Sequence, residues 1–130
     1  MWFSLSKSKG DNIFVVAKYR PEINQILNID LPCSDVYQSH GLEIHMRKRK
    51  HFKCIPYLKN ISEIIENPDY VGLNPSEKNS VELVKAYDIN ILVAVKLDIK
   101  NDYLYVASMY SLSKSKLERR IKGKRLKKFK

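Results

Sequence analysis

Three apolar segments that follow one another with only short turns between them restrict the fold of this chain more than any other feature. Residues 81–86 alternate between two sets of side chains, and residues 91–97 and 103–110 are almost continuously apolar. Neither intervening turn, at 88–90 or at 99–102, is long enough for the crossover that parallel strands need. We therefore predict an antiparallel β-meander.

Helical spacing occurs ahead of the meander. Leu42, His45 and Met46 recur at i, i+3 and i+4, which places them on one face of a predicted helix. Apolar residues also keep helical spacing over 54–66. This second helix should end before Pro68, because the residue that precedes a proline disfavours helical backbone geometry.

The remaining segments add strands, a loop and one more helix. Residues 13–17 indicate an early strand, and residues 70–73 are a candidate fourth strand before the meander. Residues 28–39 contain many turn-forming residues and are predicted to be irregular. Ser115, with Glu118 three residues later, forms a capping-box pattern that should open a C-terminal helix.

These elements predict one α+β domain over residues 1–130. In it, N-terminal helices pack on a four-stranded antiparallel sheet, and a basic helix follows at the C-terminus. A chain of 130 residues is long enough for one compact domain with its own core. We interpret residues 1–35 as an N-terminal extension of unknown role.

Positive charge is concentrated in two clusters. Residues 114–130 hold ten Lys and Arg against one Glu, and residues 47–53 hold five cations and no acid. The rest of the chain carries nine Lys and Arg against thirteen Asp and Glu, so the pattern is typical of a polyanion-binding protein. A tail that only improves solubility is the alternative. Within residues 114–130, we interpret Ile121 as the last residue of the apolar stripe. Removal of residues 122–130 should therefore weaken the affinity for the polyanion more than it weakens folding.

Composition argues against membrane and secreted proteins. No apolar run approaches the roughly 20 residues of a membrane span. The N-terminus shows neither the apolar region nor the cleavage site of a secretory signal. Two cysteines, Cys33 and Cys54, are too few for a disulfide scaffold. We therefore expect a reduced, cytoplasmic protein that does not associate with membranes.

The two predicted turns also give an expected strand register. With three residues in the first turn and four in the second, Lys85 faces Val93, and Val93 faces Ser108. Lys85 and Ser108 would then share one sheet face, at the polar end of a mostly apolar surface. Such a pair could belong to a functional site. Equally, the lysine could extend past the edge of the core and the serine could simply fit there.

A metal site is poorly supported by the sequence. His40, His45 and His51 are separated by steps of five and six residues, which do not place them on one helical face. The pair His51-x-x-Cys54 lacks a second pair of ligands. No paired acidic motif and no phosphate-binding glycine loop is visible. We therefore expect no metal and no cofactor.

The available side chains suit metal-free cleavage of RNA. RNA supplies its own nucleophile, the 2′-hydroxyl. A protein then has to supply a group that accepts its proton, cations for the charged transition state and an acid for the leaving oxygen. His45 and His51 flank the four cations of residues 47–50, and Arg120 lies one helical turn from Leu117, beside the buried face. For His45 the alternative is a histidine at the edge of the core.

Five stretches, taken in order, carry a resemblance: HMRKRKH at 45–51, IIENPDY at 64–70, ELVK at 82–85, YVASMY at 105–110 and KLERR at 116–120. Together they resemble the phage-associated group of the barnase–EndoU–colicin–RelE-like ribonuclease superfamily, from about residue 40 to the end of the chain. The resemblance implies a small helical part on a four-stranded antiparallel sheet. It also implies metal-independent cleavage of RNA, often of tRNA or ribosome-bound message, in toxin or phage-conflict settings.

The resemblance assigns roles by motif position. It puts the family's early histidine on His45, with His51 as second choice, the strand lysine on Lys85 and the hydroxyl residue on Ser108. The basic helix position falls on Arg119 or Arg120. The catalytic candidates are therefore His45, His51, Lys85, Ser108 and Arg120, and the RNA-binding candidates are Arg47, Lys48, Arg49, Lys50, Tyr110, Arg119, Lys124 and Arg125.

We therefore expect a metal-independent endoribonuclease of the toxin or phage-conflict type, with tRNA as one candidate substrate and a 2′,3′-cyclic phosphate on the product. One alternative is a non-catalytic, basic nucleic-acid-binding or anti-defence protein of a mobile element. Another is an interaction domain whose basic tail binds an acidic immunity or antitoxin protein. RNA that stays intact after incubation with the protein would favour the alternatives.

Overall fold

Residues 13–129, the part of the chain that the computed structural model describes, form seven strands, four α-helices and one 3₁₀ helix. This combination confirms the predicted α+β class. No helix in this part is long and apolar enough to cross a membrane. In chain order, the elements are β1 (Ile13–Lys18), α1 (Pro21–Leu27), β2 (Asp35–Ser39), α2 (Leu42–Lys48), the 3₁₀ helix (Phe52–Asn60), α3 (Ile61–Glu66), β3 (Tyr70–Gly72), β4 (Ser80–Ala86), β5 (Asn90–Asp98), β6 (Tyr103–Leu112), α4 (Lys114–Lys122) and β7 (Leu126–Lys128).

The seven strands belong to one mixed sheet in the order β1-β2-β6-β5-β4-β3-β7. β2 runs parallel to β6, and the other neighbouring pairs are antiparallel. The prediction of N-terminal helices packed on a four-stranded antiparallel sheet is therefore wrong. Residues before and after the predicted sheet contribute three further strands to it, with β1 and β2 at one edge and β7 at the other.

Strand β2 lies within the segment 28–39 that the sequence predicts to be irregular. Its Val36 is fully buried and pairs with Leu104 of β6, and its Ser39 pairs with Ile13 of β1. The neighbouring turn-forming residues conceal this strand in the sequence. It forms because a strand between two partners is stabilised by their hydrogen bonds and by burial, which local propensity does not report.

The residues before β2 are built into the main core. α1 begins at Pro21, where the missing N–H of proline costs no intrahelical hydrogen bond, and it buries Ile23. The predicted extension over 1–35 is thus part of the folded core from residue 13 onward. Residues 1–12 lie outside the described part of the chain.

Each face of the sheet has its own apolar cluster. The main core lies between one face of the sheet and α1, α2, the 3₁₀ helix and α3. There, α2 contributes Leu42 and Met46, both fully buried, which confirms the predicted helical face. A smaller cluster on the opposite face is covered by α4 and β7 through Leu117 and Leu126. The register of each strand therefore decides which of two environments a side chain meets.

The single helix predicted over 54–66 is in fact two helices. The 3₁₀ helix ends at Asn60, and α3 follows directly. Pro56 lies inside the 3₁₀ helix and has no N–H to donate, so a regular α-helix is disfavoured there. α3 ends at Glu66, before Pro68, as predicted.

α4 is capped two residues earlier than predicted. The Oγ of Ser113 accepts a hydrogen bond from the backbone N–H of Lys116 at 3.2 Å, so Ser113, rather than Ser115, is the N-cap. Its hydroxyl satisfies one of the free N–H groups that every helix leaves at its start.

The C-terminal residues are part of the fold. The interpretation that the apolar stripe ends at Ile121 is wrong, because Leu126 and Phe129 are 1% and 8% exposed. β7 also pairs with β3, with Leu126 opposite Gly72. The basic tail therefore contributes a strand and two buried side chains in addition to its charge.

The expected rung of Lys85, Val93 and Ser108 is wrong as well. Lys85 pairs with Ile91. β6 leaves the predicted register at a β-bulge midway along the strand, where it carries one extra residue relative to β5. Because a shift of one residue turns a side chain to the other face, Ser108 lies on the face opposite to Lys85.

Candidate functional site

A buried carboxylate lies on the sheet face that carries the smaller apolar cluster. Glu82 of β4 is 0% exposed. A carboxylate without hydrogen bonds or counter-charges would be very unfavourable there. Glu82 instead accepts hydrogen bonds from Arg125 (Nε at 3.1 Å and Nη2 at 3.0 Å), Arg120 (Nη1 at 3.4 Å), Tyr110 (Oη at 3.3 Å) and Asn74 (Nδ2 at 3.3 Å). We call Glu82, Tyr110, Arg120 and Arg125 the Glu82 cluster.

The two arginines reach Glu82 from the C-terminal segment. Arg120 lies in the last turn of α4, and the N–H of Arg125 donates to the Arg120 carbonyl at 2.9 Å. Gly72 of β3 makes this approach possible, since a Cβ at that position would lie 2.1 Å from the Arg125 carbonyl oxygen. The side chains of Arg120 and Arg125 stay 20% and 29% exposed, so they can also offer donors to an anion from outside.

Tyr110 brings a phenol from β6 to the arginines. Its hydroxyl donates to Glu82, and it also shares a hydrogen bond with Arg120. Burial raises the pKa of Tyr110, the charge of Glu82 acts in the same direction, and Arg120 opposes them. The hydroxyl therefore remains protonated at neutral pH and can act as a hydrogen-bond donor.

His51 brings an imidazole to the same place. Its ring centroid lies 5.8 Å from that of Tyr110, and the two rings are tilted by 45°. Burial lowers the pKa of His51, a hydrogen bond with the Met109 backbone partly opposes this, and the charge of Arg49 lowers the pKa further. Its Nδ1 is buried and has no hydrogen-bond partner within residues 13–129. At neutral pH the imidazole is therefore uncharged and able to accept a proton.

His45 of α2 lies close enough to His51 for their charges to repel each other. Burial lowers the pKa of His45, and the charges of Arg49, His51 and Lys48 add to the effect. Within the same block, Arg47 pairs with Glu43 at 2.9 Å. Burial is therefore the main reason that the pKa values of both histidines are lowered, and the charge of Arg49 adds to the effect at both.

No group of three or more His, Cys, Asp or Glu side chains in the described part of the chain is placed to hold a metal ion. The donor set that does converge is different in kind. It consists of guanidinium, phenol and imidazole groups around one carboxylate. Such groups bind oxyanions and transfer protons.

Comparison with models of protein families identifies the family to which this chain belongs. Residues 13–119 match the model of the phage-Barnase-EndoU-ColicinE5/D-RelE like nuclease 3 family. The chain belongs to this family. The match confirms the resemblance seen in the sequence, and it also includes β1, α1 and β2, which the resemblance left out. No curated protein and no solved structure matched the chain.

Membership in this nuclease family supports a nuclease activity, and the structure shows which of the candidate residues meet. His51 and Arg120 both contact Tyr110, and His45 lies beside His51. Ser108 is buried on the same face as the Glu82 cluster, since both Glu82 and Ser108 pair with Ala94 of β5. The remaining RNA-binding candidates lie at the surface or in the cluster: Arg47, Lys48, Arg49, Lys50, Arg119 and Lys124 are exposed, and Arg125 binds Glu82.

Lys85 is not brought to the Glu82 cluster. Its Nζ donates to the Asn67 carbonyl at 2.8 Å and lies 3.9 Å from Oδ1 of Asp69. These contacts connect β4 to the segment between α3 and β3, on the main-core face. The geometry gives Lys85 a position in that connection, away from the other candidates.

Glu82 is the functional residue that sequence reasoning missed. The alternation in 81–86 places it on the face away from the predicted core, where an acidic residue is unremarkable. A usable signal was present all the same. Val84, two residues later on the same face, is apolar, and two arginines follow in the tail, so a buried acid with basic partners was a possible interpretation.

Proposed function

We propose that this member of the nuclease family is a metal-independent endoribonuclease. The observation that carries the proposal is the convergence of His51, Tyr110, Arg120 and Arg125 around the buried carboxylate of Glu82. RNA is the substrate that makes use of this set, because its 2′-hydroxyl supplies the nucleophile. The protein then needs only a base, an acid and donors for the phosphate oxygens.

The reaction proceeds by in-line attack within the RNA. His51 accepts the proton of the 2′-hydroxyl while the 2′-oxygen bonds to phosphorus. The bond from phosphorus to the 5′-oxygen then breaks, and this oxygen takes a proton from an acid, for which Tyr110 is the candidate in the cluster. The products carry a 2′,3′-cyclic phosphate and a 5′-hydroxyl.

The arginines stabilise the charge that develops on the phosphate oxygens. Arg120 and Arg125 donate from fixed positions, because Glu82 holds both guanidinium groups. Donors that are already oriented before reaction stabilise a transition state more than donors that must first reorganise. Glu82 is thus a positioning residue, and its burial is the reason that its hold on the arginines is strong.

A second candidate function is nucleic-acid binding without chemistry. It is favoured by the ion pairs of Arg120 and Arg125 with Glu82, since these contacts also attach α4 and the segment that leads into β7 to strand β4. The two basic clusters would then bind a phosphate backbone in a salt-dependent manner. RNA would be bound and released intact.

Incubation of the purified protein with total RNA, with and without EDTA, tests the proposal. We expect cleavage that EDTA does not affect.

Arg120→Ala should reduce the cleavage rate by about 10²-fold or more, as for the loss of one oriented donor. The exposed Lys78→Ala, which removes one charge elsewhere, should not change it. Melting temperatures of both variants separate a lost donor from a lost fold. Activity that vanishes in EDTA and returns with magnesium or zinc would refute metal independence, and bound but intact RNA would support the second candidate.

A further inference from the structure

The two basic clusters, far apart in the sequence, meet at one cavity beside the Glu82 cluster. This cavity has a volume of about 440 Å³. Lys53 lines it from the first basic cluster, and Lys114 and Lys116 line it from the second. Ser111 at the end of β6 and Asp88 in the turn between β4 and β5 complete its polar lining.

The three lysines differ from the arginines of the Glu82 cluster in having no acidic partner. In the described part of the chain the ion pairs of Arg120 and Arg125 go to Glu82, and none involves Lys53, Lys114 or Lys116. Against one carboxylate, from Asp88, the lining carries three ammonium groups, a net charge of +2. Unpaired ammonium groups around a cavity attract an anion.

The cavity is adjacent to the proposed reaction site along two segments of chain. Ser111 directly follows Tyr110 on β6, and Lys53 is two residues beyond His51. His51 and Tyr110 are in ring contact, so both segments leave the site in the direction of the cavity. A strand of RNA with its reacting phosphate at Arg120 would carry its next phosphate toward these lysines.

We propose that this cavity, the lysine pocket, binds the phosphate next to the one that reacts, on the same RNA strand. The proposal rests on the proposed function and adds a requirement on the substrate. The RNA has to extend by at least one phosphate beyond the bond that is cleaved, on the side that reaches Lys53, Lys114 and Lys116. The volume is within the range of about 300–1,000 Å³ seen for ligand pockets, so a whole nucleotide can enter.

Short substrates of defined length test this requirement. A dinucleoside monophosphate has only the reacting phosphate. Two trinucleotides each add one phosphate, on the 5′ side in one and on the 3′ side in the other, and a 2′-deoxyribose directly before the added phosphate leaves only the original bond able to react. We expect one of the two extensions to raise kcat/KM by about tenfold or more, as charge-assisted hydrogen bonds to the added phosphate would. In the triple variant Lys53→Ala/Lys114→Ala/Lys116→Ala, the ratio of trinucleotide to dinucleotide kcat/KM should fall to near one.

Two control variants isolate the pocket from general charge. The triple variant Lys59→Ala/Lys78→Ala/Lys100→Ala removes the same charge from exposed lysines outside the pocket and should keep the wild-type ratio. Asp88→Asn removes only the opposing charge and should increase the ratio. The proposal is refuted if neither extension raises the kcat/KM of the wild-type protein. It is also refuted if the increase persists in the triple variant of Lys53, Lys114 and Lys116 (the pocket variant), or if the control triple variant loses it to the same extent.

Binding keeps the test decisive if no RNA is cleaved. The probe is then a fluorescently labelled 2′-deoxy trinucleotide, which cannot react through a 2′-hydroxyl. Weaker affinity in the pocket variant than in the control triple variant supports the pocket, although the proposed function has failed. Equal affinity in the two variants overturns it. A failure of catalysis and a failure of the lysine pocket therefore give different results.

Discussion

His51 and His45 are both partly buried histidines in basic surroundings, and they differ in what they contact. His51 reaches the ring of Tyr110 and the backbone of Met109, and so it joins the strand that carries the Glu82 cluster. His45 belongs to α2, where Met46 beside it packs into the main core. The motif position favours His45 as the base, whereas the contacts favour His51.

Substitution of each histidine separates these assignments. His51→Ala should reduce the single-turnover cleavage rate by about 10²–10⁴-fold, the usual contribution of a general acid or base. His45→Ala, the matched control, should cost less. Because burial lowers the pKa of His51, its proton-accepting form persists below the ordinary value of 6.5. The rate should therefore hold as the pH falls past 6.5 and decline only at lower pH. A His51→Ala protein that is folded and cleaves normally, or a rate that already declines above pH 6.5, would contradict the assignment.

Among the elements, some could be predicted from the sequence and others depend on distant partners. Local sequence signals predict several elements. The apolar periodicity predicts α2 and the strands from β3 to β6, and Pro68 predicts the end of α3. β2 and β7 are short, and each forms on a neighbour that lies far away in the chain. The β-bulge in β6 has no local signature, and it is the reason that Ser108 was assigned to the wrong face.

Removal of residues 124–130 tests the element that the sequence missed. It deletes β7 with its buried Leu126, the buried Phe129 and the bidentate partner of Glu82. Burial of two large apolar side chains is worth about 3–6 kcal/mol, a large part of the roughly 5–15 kcal/mol by which a domain is stable. We expect a large fall in the denaturant midpoint. The control Lys127→Ala/Lys128→Ala changes only exposed residues of β7 and should keep the denaturant midpoint of the full chain. A truncated protein as stable as the full chain would mean that β7 contributes nothing to the fold.

In the whole molecule, the fold brings lysines of both basic clusters to one cavity and places His51 against Tyr110 of the Glu82 cluster. Single residues with evident chemistry, such as His51 and Arg120, could be named from the sequence because their types and charges are visible there. Glu82 was not named, because its importance comes from burial and from partners roughly 40 residues away along the chain: Arg120 and Arg125 are 38 and 43 residues from it. Lys85 was misplaced because its contacts are with Asn67 and Asp69.

The chemical ends of the cleaved RNA test the central claim most directly. Cleavage by the 2′-hydroxyl requires that one fragment end in a 2′,3′-cyclic phosphate and that the other begin with a 5′-hydroxyl, in the presence of EDTA. A DNA strand of the same sequence has no 2′-hydroxyl and should remain intact. Fragments with a 3′-hydroxyl and a 5′-phosphate, or cleavage of the DNA strand at a comparable rate, would show that water attacks the phosphate and would contradict the proposed reaction.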